Sequence, residues 1–316
     1  MISRRSFVLS SAVLAAPAIA RAATEPFTLL LDWFVNPDHA PLFAAKTCGA
    51  FARAGLAVTM TAPTDPDVPP RLVGAGKADA CLSYQPQLYQ FVDKGLPVKR
   101  VAALINQPLD TLTALGESGI KTIADLKGRK IGYSVEGFET VLIGTMLKSA
   151  GLTLGDVTLV NVNFNLVTAL QAKEVDAVIG TYRTYEDIQL AQDGLAPVIF
   201  APEDYGVPRS DELIVLANDK SVGGDKMRRF VAALGEGVAA LKSDPRAMLA
   251  GFLKDNPSLN DKLDLASWGA LVPGCFAPEP GALDAAKYRR YRDFMHANGL
   301  IARALPLDDY AVATKA

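Results

Sequence analysis

Asp32, Trp33, Asn36 and His39 place a carboxylate, an indole, an amide and an imidazole within one short segment. An indole offers a face on which a ring can stack, and the other three offer hydrogen bonds of both polarities. Such a set suits a flat, nitrogen-rich small molecule that is uncharged or cationic. An apolar run over 27–31 precedes the segment and reads as a strand. Asp38 and Pro41 behind it read as the N-cap and first turn of a helix. In open α/β sheets, loops at the carboxyl ends of strands face the ligand crevice. The alternative is an ordinary strand-to-helix turn with Trp33 in the core.

The elements that must position these groups alternate along the chain. Strands are predicted at 27–31, 58–61, 80–83 and 98–105, with helices at 40–54, 69–75 and 87–94 between them. After a Gly-rich break at 116–119 the pattern restarts. Strands at 130–134, 157–162, 177–180 and 197–200 alternate with helices at 140–150, 166–172 and 185–192. A strand at 212–217 returns across the break, and helices at 225–242, 245–254 and 285–297 follow. This is an α/β chain of two lobes with mostly parallel sheets: 23–112 with 218–316 and its helical tail, and 113–217. Two crossings between the lobes make a hinged clamp that closes on a ligand. Candidate residues accordingly follow strands in both halves: Ser83, Tyr84 and Gln85; Ser134, Glu136 and Glu139; Asn163; Tyr182, Arg183 and Tyr185; and Glu212 at the second crossing.

Ser3-Arg4-Arg5-Ser6-Phe7 followed by an apolar run and Ala20-Arg21-Ala22 reads as a twin-arginine signal peptide over 1–22. Export to the periplasm is the expectation. Cleavage would remove three of the 32 basic residues and none of the 34 acidic ones, leaving a net charge near −5. No basic footprint for nucleic acid is present. Cys48, Cys81 and Cys275 are isolated, without metal spacing, and buried thiols are favoured over a disulfide. No metal, cofactor or catalytic motif is predicted.

The segments Leu31-Asp-Trp-Phe-Val-Asn-Pro-Asp-His-Ala40, Gly76-Lys-Ala-Asp79, Ser83-Tyr-Gln-Pro-Gln-Leu-Tyr89, Asp125-Leu-Lys-Gly-Arg-Lys-Ile-Gly-Tyr-Ser134 and Asp176-Ala-Val-Ile-Gly-Thr-Tyr-Arg183 resemble periplasmic solute-binding proteins for thiamine pyrimidine precursors. The resemblance is collinear over roughly 27–220. It implies a type II periplasmic-binding fold and a monomer that delivers a hydroxymethyl- or formylaminomethyl-pyrimidine to an ABC permease and its ATPase. It also implies that Trp33 and a tyrosine of the Ser83 or Tyr182 loops sandwich the ring. Within that picture Asp32, Glu136 or Glu212 accepts from the exocyclic amine. Asn36, Gln85 and Asn163 pair with ring nitrogens or a formyl group, and His39 donates to an oxygen or faces solvent.

Related binders take riboflavin or sulfonates, and both remain alternatives. Glu136 and Glu139 occupy the turn that would cradle a sulfonate and would repel it, whereas Arg183 keeps an anion possible. Glu139 can equally serve the helix dipole, Tyr182 and Tyr185 can be packing residues, and Glu212 can be a solvated hinge charge. Related fungal pyrimidine synthases carry a cysteine-rich iron-binding run and a cofactor lysine. Neither has a counterpart here, so binding without catalysis is expected.

Overall fold

The computed structural model describes residues 24–314, and the signal-peptide segment lies outside the described residues. Strand β1 (Glu25–Leu30) forms because Phe27 and Leu29 alternate inward, with Phe27 stacked on Phe230 at 4.3 Å. It lies between β2 (Leu56–Thr61) and β3 (Ala80–Tyr84), parallel to both. Next come β4 (Val98–Ile105), β5 (Asp110–Leu115), β6 (Lys130–Tyr133), β7 (Thr158–Asn161), β8 (Ala177–Tyr182), β9 (Pro197–Phe200) and β10 (Leu213–Asn218). The first sheet has the order β2-β1-β3-β10-β4 and the second β7-β6-β8-β5-β9. Each sheet thus holds one antiparallel strand, β10 or β5, next to the crossing that joins it to the other sheet.

That exchange corrects the predicted boundaries. The range 113–217 was assigned to the second lobe, yet β10 pairs with β3 and β4 of the first. Strand β5 was not foreseen, because Asp110, Thr111 and Thr113 interrupt its apolar pattern. All six of its residues are buried. The Thr111 and Thr113 hydroxyls donate to the Asp187 carboxylate at 2.9 and 2.7 Å, which satisfies polar groups that burial would otherwise penalise.

The helix predicted at 40–54 is two helices, Ala40–Thr47 and Ala50–Arg53, parted by Gly49 at φ +77°. A further helix, Lys262–Leu271, was not foreseen. It packs on the turn at residues 37–39 and on helix Glu186–Gln192 of the second lobe, so the tail touches both lobes. All three cysteines are free, with Cys81 and Cys275 buried and Cys48 half-buried.

The crossings are stitched together by one side chain. Glu212 Oε2 accepts from the backbone N–H of Leu109 at 2.5 Å and of Asp110 at 3.2 Å, while its own N–H donates to Ile105. Its neighbour Asp211 is fixed by the Tyr288 hydroxyl at 2.8 Å and paired with Lys287, both on helix Ala285–Ala297. The two strands leaving one lobe for the other therefore share a single anchored junction.

Helix Asp225–Ser243 crosses helix Ala40–Thr47 at Gly237. A Cβ there would lie 2.4 Å from the Pro41 carbonyl oxygen and 2.7 Å from the Ala45 nitrogen. Glycine inside a helix normally costs about 0.5–1 kcal/mol relative to alanine. Here Gly237→Ala is expected to destabilise instead, by about 1–3 kcal/mol, because backbone must move. Urea unfolding of the variant checks this, and a stabilised variant would contradict the close crossing.

Candidate functional site

A narrow cleft lies between the lobes, enclosing about 380 Å³ when the open solvent at its mouth is included. Its first-lobe wall is made by Asp32, Trp33, Asn36, Asp38 and Tyr84, and its second-lobe wall by Asp110, Val135, Phe138, Glu139, Gly180, Tyr182 and Glu186. The first wall is built by one turn. Asn36 Oδ1 accepts from the Asp38 N–H at 2.8 Å, making Asn36 the cap in place of Asp38. The Asn36 N–H donates to His39 Nδ1 at 3.2 Å, which leaves the ring proton on Nε2. Nε2 then donates to Asp32 Oδ1 at 3.1 Å, and the Tyr84 hydroxyl donates to Oδ2 at 3.0 Å. His39 is fully buried and orients Asp32 from behind.

Aromatic contacts cross the gap at two places. Trp33 is half-buried and meets Phe164 of the second lobe edge-on, with centroids 4.5 Å apart, and packs on that lobe's smaller apolar cluster. Phe34 lies 4.5 Å from the same Phe164 ring and is 51% exposed. Tyr84 stacks on Phe138 with centroids 4.5 Å apart and an interplanar angle of 5°. Trp33 therefore stands at the interlobe gap, not in the core of one lobe.

Carboxyl groups dominate the remaining lining. Glu139 Oε2 accepts from the Ser134 N–H at 2.5 Å. Gly180 sits at φ +99°, a conformation that favours glycine, and a Cβ there would press on the Glu139 carboxyl. Glu186 Oε2 accepts from the Tyr182 N–H at 2.8 Å. The Tyr182 hydroxyl approaches Glu212 at 3.4 Å. One oxygen of Asp38 and one of Asp110 accept from no N–H or hydroxyl, although both residues are buried, and the Asp110 carboxyl meets that of Glu212. Burial pushes the carboxyls of Asp38, Asp110 and Glu139 well above the usual range, and neighbouring acids push Asp38 and Asp110 further. Burial likewise pushes Glu186 and Glu212 up to about 7. Among the described residues the lining contains no Lys, Arg or His. Arg183 is spent elsewhere, on both oxygens of Glu203 and on the carbonyls of Leu109 and Asp110.

Of the residues proposed from the sequence, Asp32, Trp33, Asn36, Tyr84 and Tyr182 line the cleft, and Glu212 lies directly behind Tyr182. The others, Glu139 apart, do not. The Ser83 hydroxyl donates to Gln87, and Gln85 spans Tyr89 and the Asp211 N–H. The Ser134 hydroxyl donates to the Asn163 carbonyl. Glu136 and Asn163 are exposed, the latter at φ +50°. Glu139, for which the sequence leaves a ligand role and a helix-dipole role open, also lines the cleft. Sequence reasoning missed Asp38, read as a helix cap, Asp110 in the unforeseen strand, and Phe138, Phe164 and Glu186.

Residues 36–248 match the NMT1/THI5-like family. The chain belongs to that family. A Haemophilus influenzae protein named for thiamine biosynthesis is 45% identical over 291 residues, 92% of each chain. The formylaminopyrimidine-binding protein of Halalkalibacterium halodurans is 33% identical over 240 residues, covering 75% of this chain and 73% of that one. A 4-amino-5-hydroxymethyl-2-methylpyrimidine phosphate synthase of Uromyces fabae is 30% identical over 258 residues, covering 77% and 74%. Among solved structures, the alkanesulfonate-binding protein SsuA of Xanthomonas axonopodis pv. citri bound to MOPS superposes with a TM-score of 0.71 at 18% identity, over 92% of this chain and 99% of that one. The family member described here thus has the periplasmic-binding-protein fold.

Glu186 and Glu212 move from an ordinary 4.5 to about 7 on folding. Carboxyls raised in this way contribute stability that is whole below about 4.5 and lost as pH rises through 7. The ligand-free protein is therefore expected to unfold at higher urea at pH 5 than at pH 8, and Glu186→Gln to narrow that gap. An equal gap in wild type and variant would remove Glu186 from the effect.

Proposed function

We propose that this chain is the periplasmic binding component of an ABC importer, exported by its twin-arginine segment, and that it takes a thiamine-precursor pyrimidine into the interlobe cleft and presents it to a permease driven by an ATPase. The observation that carries the reading is the chemistry of the cleft: aromatic rings on both walls, five lining carboxyl groups and no lining cation. An aminopyrimidine matches it with a stacking face, an exocyclic amine that donates, and no negative charge. Stacking contributes about 0.5–1.5 kcal/mol beyond area burial, and a bond from the amine to a carboxylate roughly 1.5–3 kcal/mol. Family membership and the name of the Halalkalibacterium relative support the same ligand class.

A sulfonate is disfavoured on the same ground, since Arg183, the cation that the sequence offers for an anion, is already paired with Glu203. A synthase role has the fungal relatives in its favour. Against it stands the engagement of His39, whose two ring nitrogens are occupied by Asn36 and Asp32. We place the hinge at the two crossings held by Glu212, with β10 assigned to the first lobe, and take the monomer as the working unit.

Isothermal titration of the mature protein with hydroxymethylpyrimidine and formylaminomethyl-pyrimidine is expected to show saturable binding with at least one. Heat only with riboflavin or taurine would overturn the ligand, and turnover of a labelled pyrimidine precursor would overturn the binding-only role. Trp33→Ala is expected to weaken binding by more than about 1 kcal/mol while leaving the fold intact by circular dichroism. Unchanged affinity would remove Trp33 from the site.

A further inference from the structure

Two residues differ from the other acids that line the cleft; Asp264 also keeps an unpartnered buried oxygen but lies outside the lining. Asp32 has both oxygens engaged, by His39 and Tyr84, and Glu139 and Glu186 each accept from a backbone N–H. Asp38 and Asp110 are 2% and 3% exposed, line the cleft, and each keeps one buried carboxyl oxygen that no N–H or hydroxyl of the protein reaches, although the Asp110 carboxyl also meets that of Glu212. They also stand on opposite lobes: Asp38 on the turn behind β1, Asp110 at the start of β5 in the second sheet. An unpaired buried acceptor is destabilising, so a fold that keeps two of them facing one cleft has acceptors waiting for donors.

We propose that Asp38 and Asp110 are the two acceptors for the ligand, one from each lobe, and that the cleft selects heterocycles with a hydrogen-bond donor at each of two edges and rejects their phosphorylated forms. The inference rests on the reading of the cleft as the ligand site, and it deepens the pyrimidine assignment. Hydroxymethylpyrimidine offers an exocyclic amine and a hydroxyl, and the formylaminomethyl compound an amine and a formamide N–H. Replacing the hydroxyl by a phosphate puts a dianion among Asp32, Glu139 and Glu186, with no lining cation to receive it. A ligand that donates to both lobes at once binds the closed arrangement better than the open one, and that difference in affinity is what closes a clamp. The groups acting on Asp38 are all acidic: Glu186, Asp32, Glu212 and Asp264. Those acting on Asp110 are Glu212, Glu139 and the already paired Arg183.

The test is titration of wild type, Asp38→Asn and Asp110→Asn with hydroxymethylpyrimidine, formylaminomethyl-pyrimidine and hydroxymethylpyrimidine phosphate, together with melting of the ligand-free proteins. Each variant is expected to lose at least about tenfold in affinity for the two unphosphorylated compounds, yet to melt at or above the wild-type temperature, because an unpaired buried acid has been removed. A merely structural role would lower the melting temperature and spare affinity. Wild-type affinity in both variants overturns the inference while the pyrimidine assignment stands. Should a variant not fold, wild type alone decides: binding of the phosphate as tight as that of the hydroxymethyl compound overturns it. If neither unphosphorylated pyrimidine binds, the ligand assignment fails, and the acceptor pair is judged by thiamine, spermidine and taurine. A thermal shift with either cation that is lost in both variants supports the pair, and a shift with taurine alone, or with none of the three, overturns it.

Discussion

A carboxylate withdrawn from water into a cleft without a facing cation loses solvation that only hydrogen bonds, a proton or a cationic partner can replace. The interlobe cleft of this protein imposes that condition on several acids at once, and much of the local architecture answers it. Glu212 draws two backbone N–H groups from the first crossing, Glu139 takes the N–H of Ser134, and Glu186 that of Tyr182. Asp32 takes a histidine and a tyrosine. Each of these bonds fixes a loop at the end of a strand, so satisfying the acids and shaping the site are the same act. Asp38 and Asp110 are the remainder among the lining acids, each with one oxygen that no N–H or hydroxyl of the protein reaches.

The hinge and the mouth of the cleft are tied into this arrangement. Glu212 joins the crossings and also receives the Tyr182 hydroxyl, so the junction and the cleft wall share one side chain. On the other side, Trp33 against Phe164 and Tyr84 against Phe138 are contacts between lobes made by rings that also line or flank the cleft. Aromatic faces used between lobes in this way can exchange one ring partner for a planar ligand at little cost in buried area. Helix Lys262–Leu271 adds a third bridge, since it touches both the 37–39 turn and helix Glu186–Gln192.

The fold was legible where hydrophobic periodicity is strong. Phe27 and Leu29 of β1, or the buried run of β10, announce themselves because apolar residues meet a strand period. Strand β5 did not, because Thr111 and Thr113 are made comfortable in the interior by Asp187, a partner remote in sequence. The same remoteness hid half of the site. Trp33 and Tyr84 could be found from their place after strands, but His39 and Gln85 share that place and turn inward to bond with protein. Whether a polar residue faces a ligand depends on which partner reaches it first, and those partners lie far along the chain. Asp38 looked like a cap because Asp is a good cap, and Asn36 took that role instead.

The sulfonate-binding neighbour shows how little the fold itself says about charge. The two backbones superpose with a TM-score of 0.71 at 18% identity, yet that protein was solved with a sulfonate buffer, and this chain lines its cleft with acids. Burial favours the protonated forms of Asp38, Asp110 and Glu139, so the lining offers acidic oxygens and hydroxyls to hydrogen-bond with and no positive charge among the described residues. The scaffold supplies two sets of strand-end loops that face one another, and the side chains on them decide the ligand. In this chain the nearest arginine is held by Glu203 and two carbonyls, outside the lining. On the proposed reading an anion would meet five acids and no cation among the described lining residues, whereas a donor-bearing ring would meet the buried oxygens of Asp38 and Asp110 that no N–H or hydroxyl reaches.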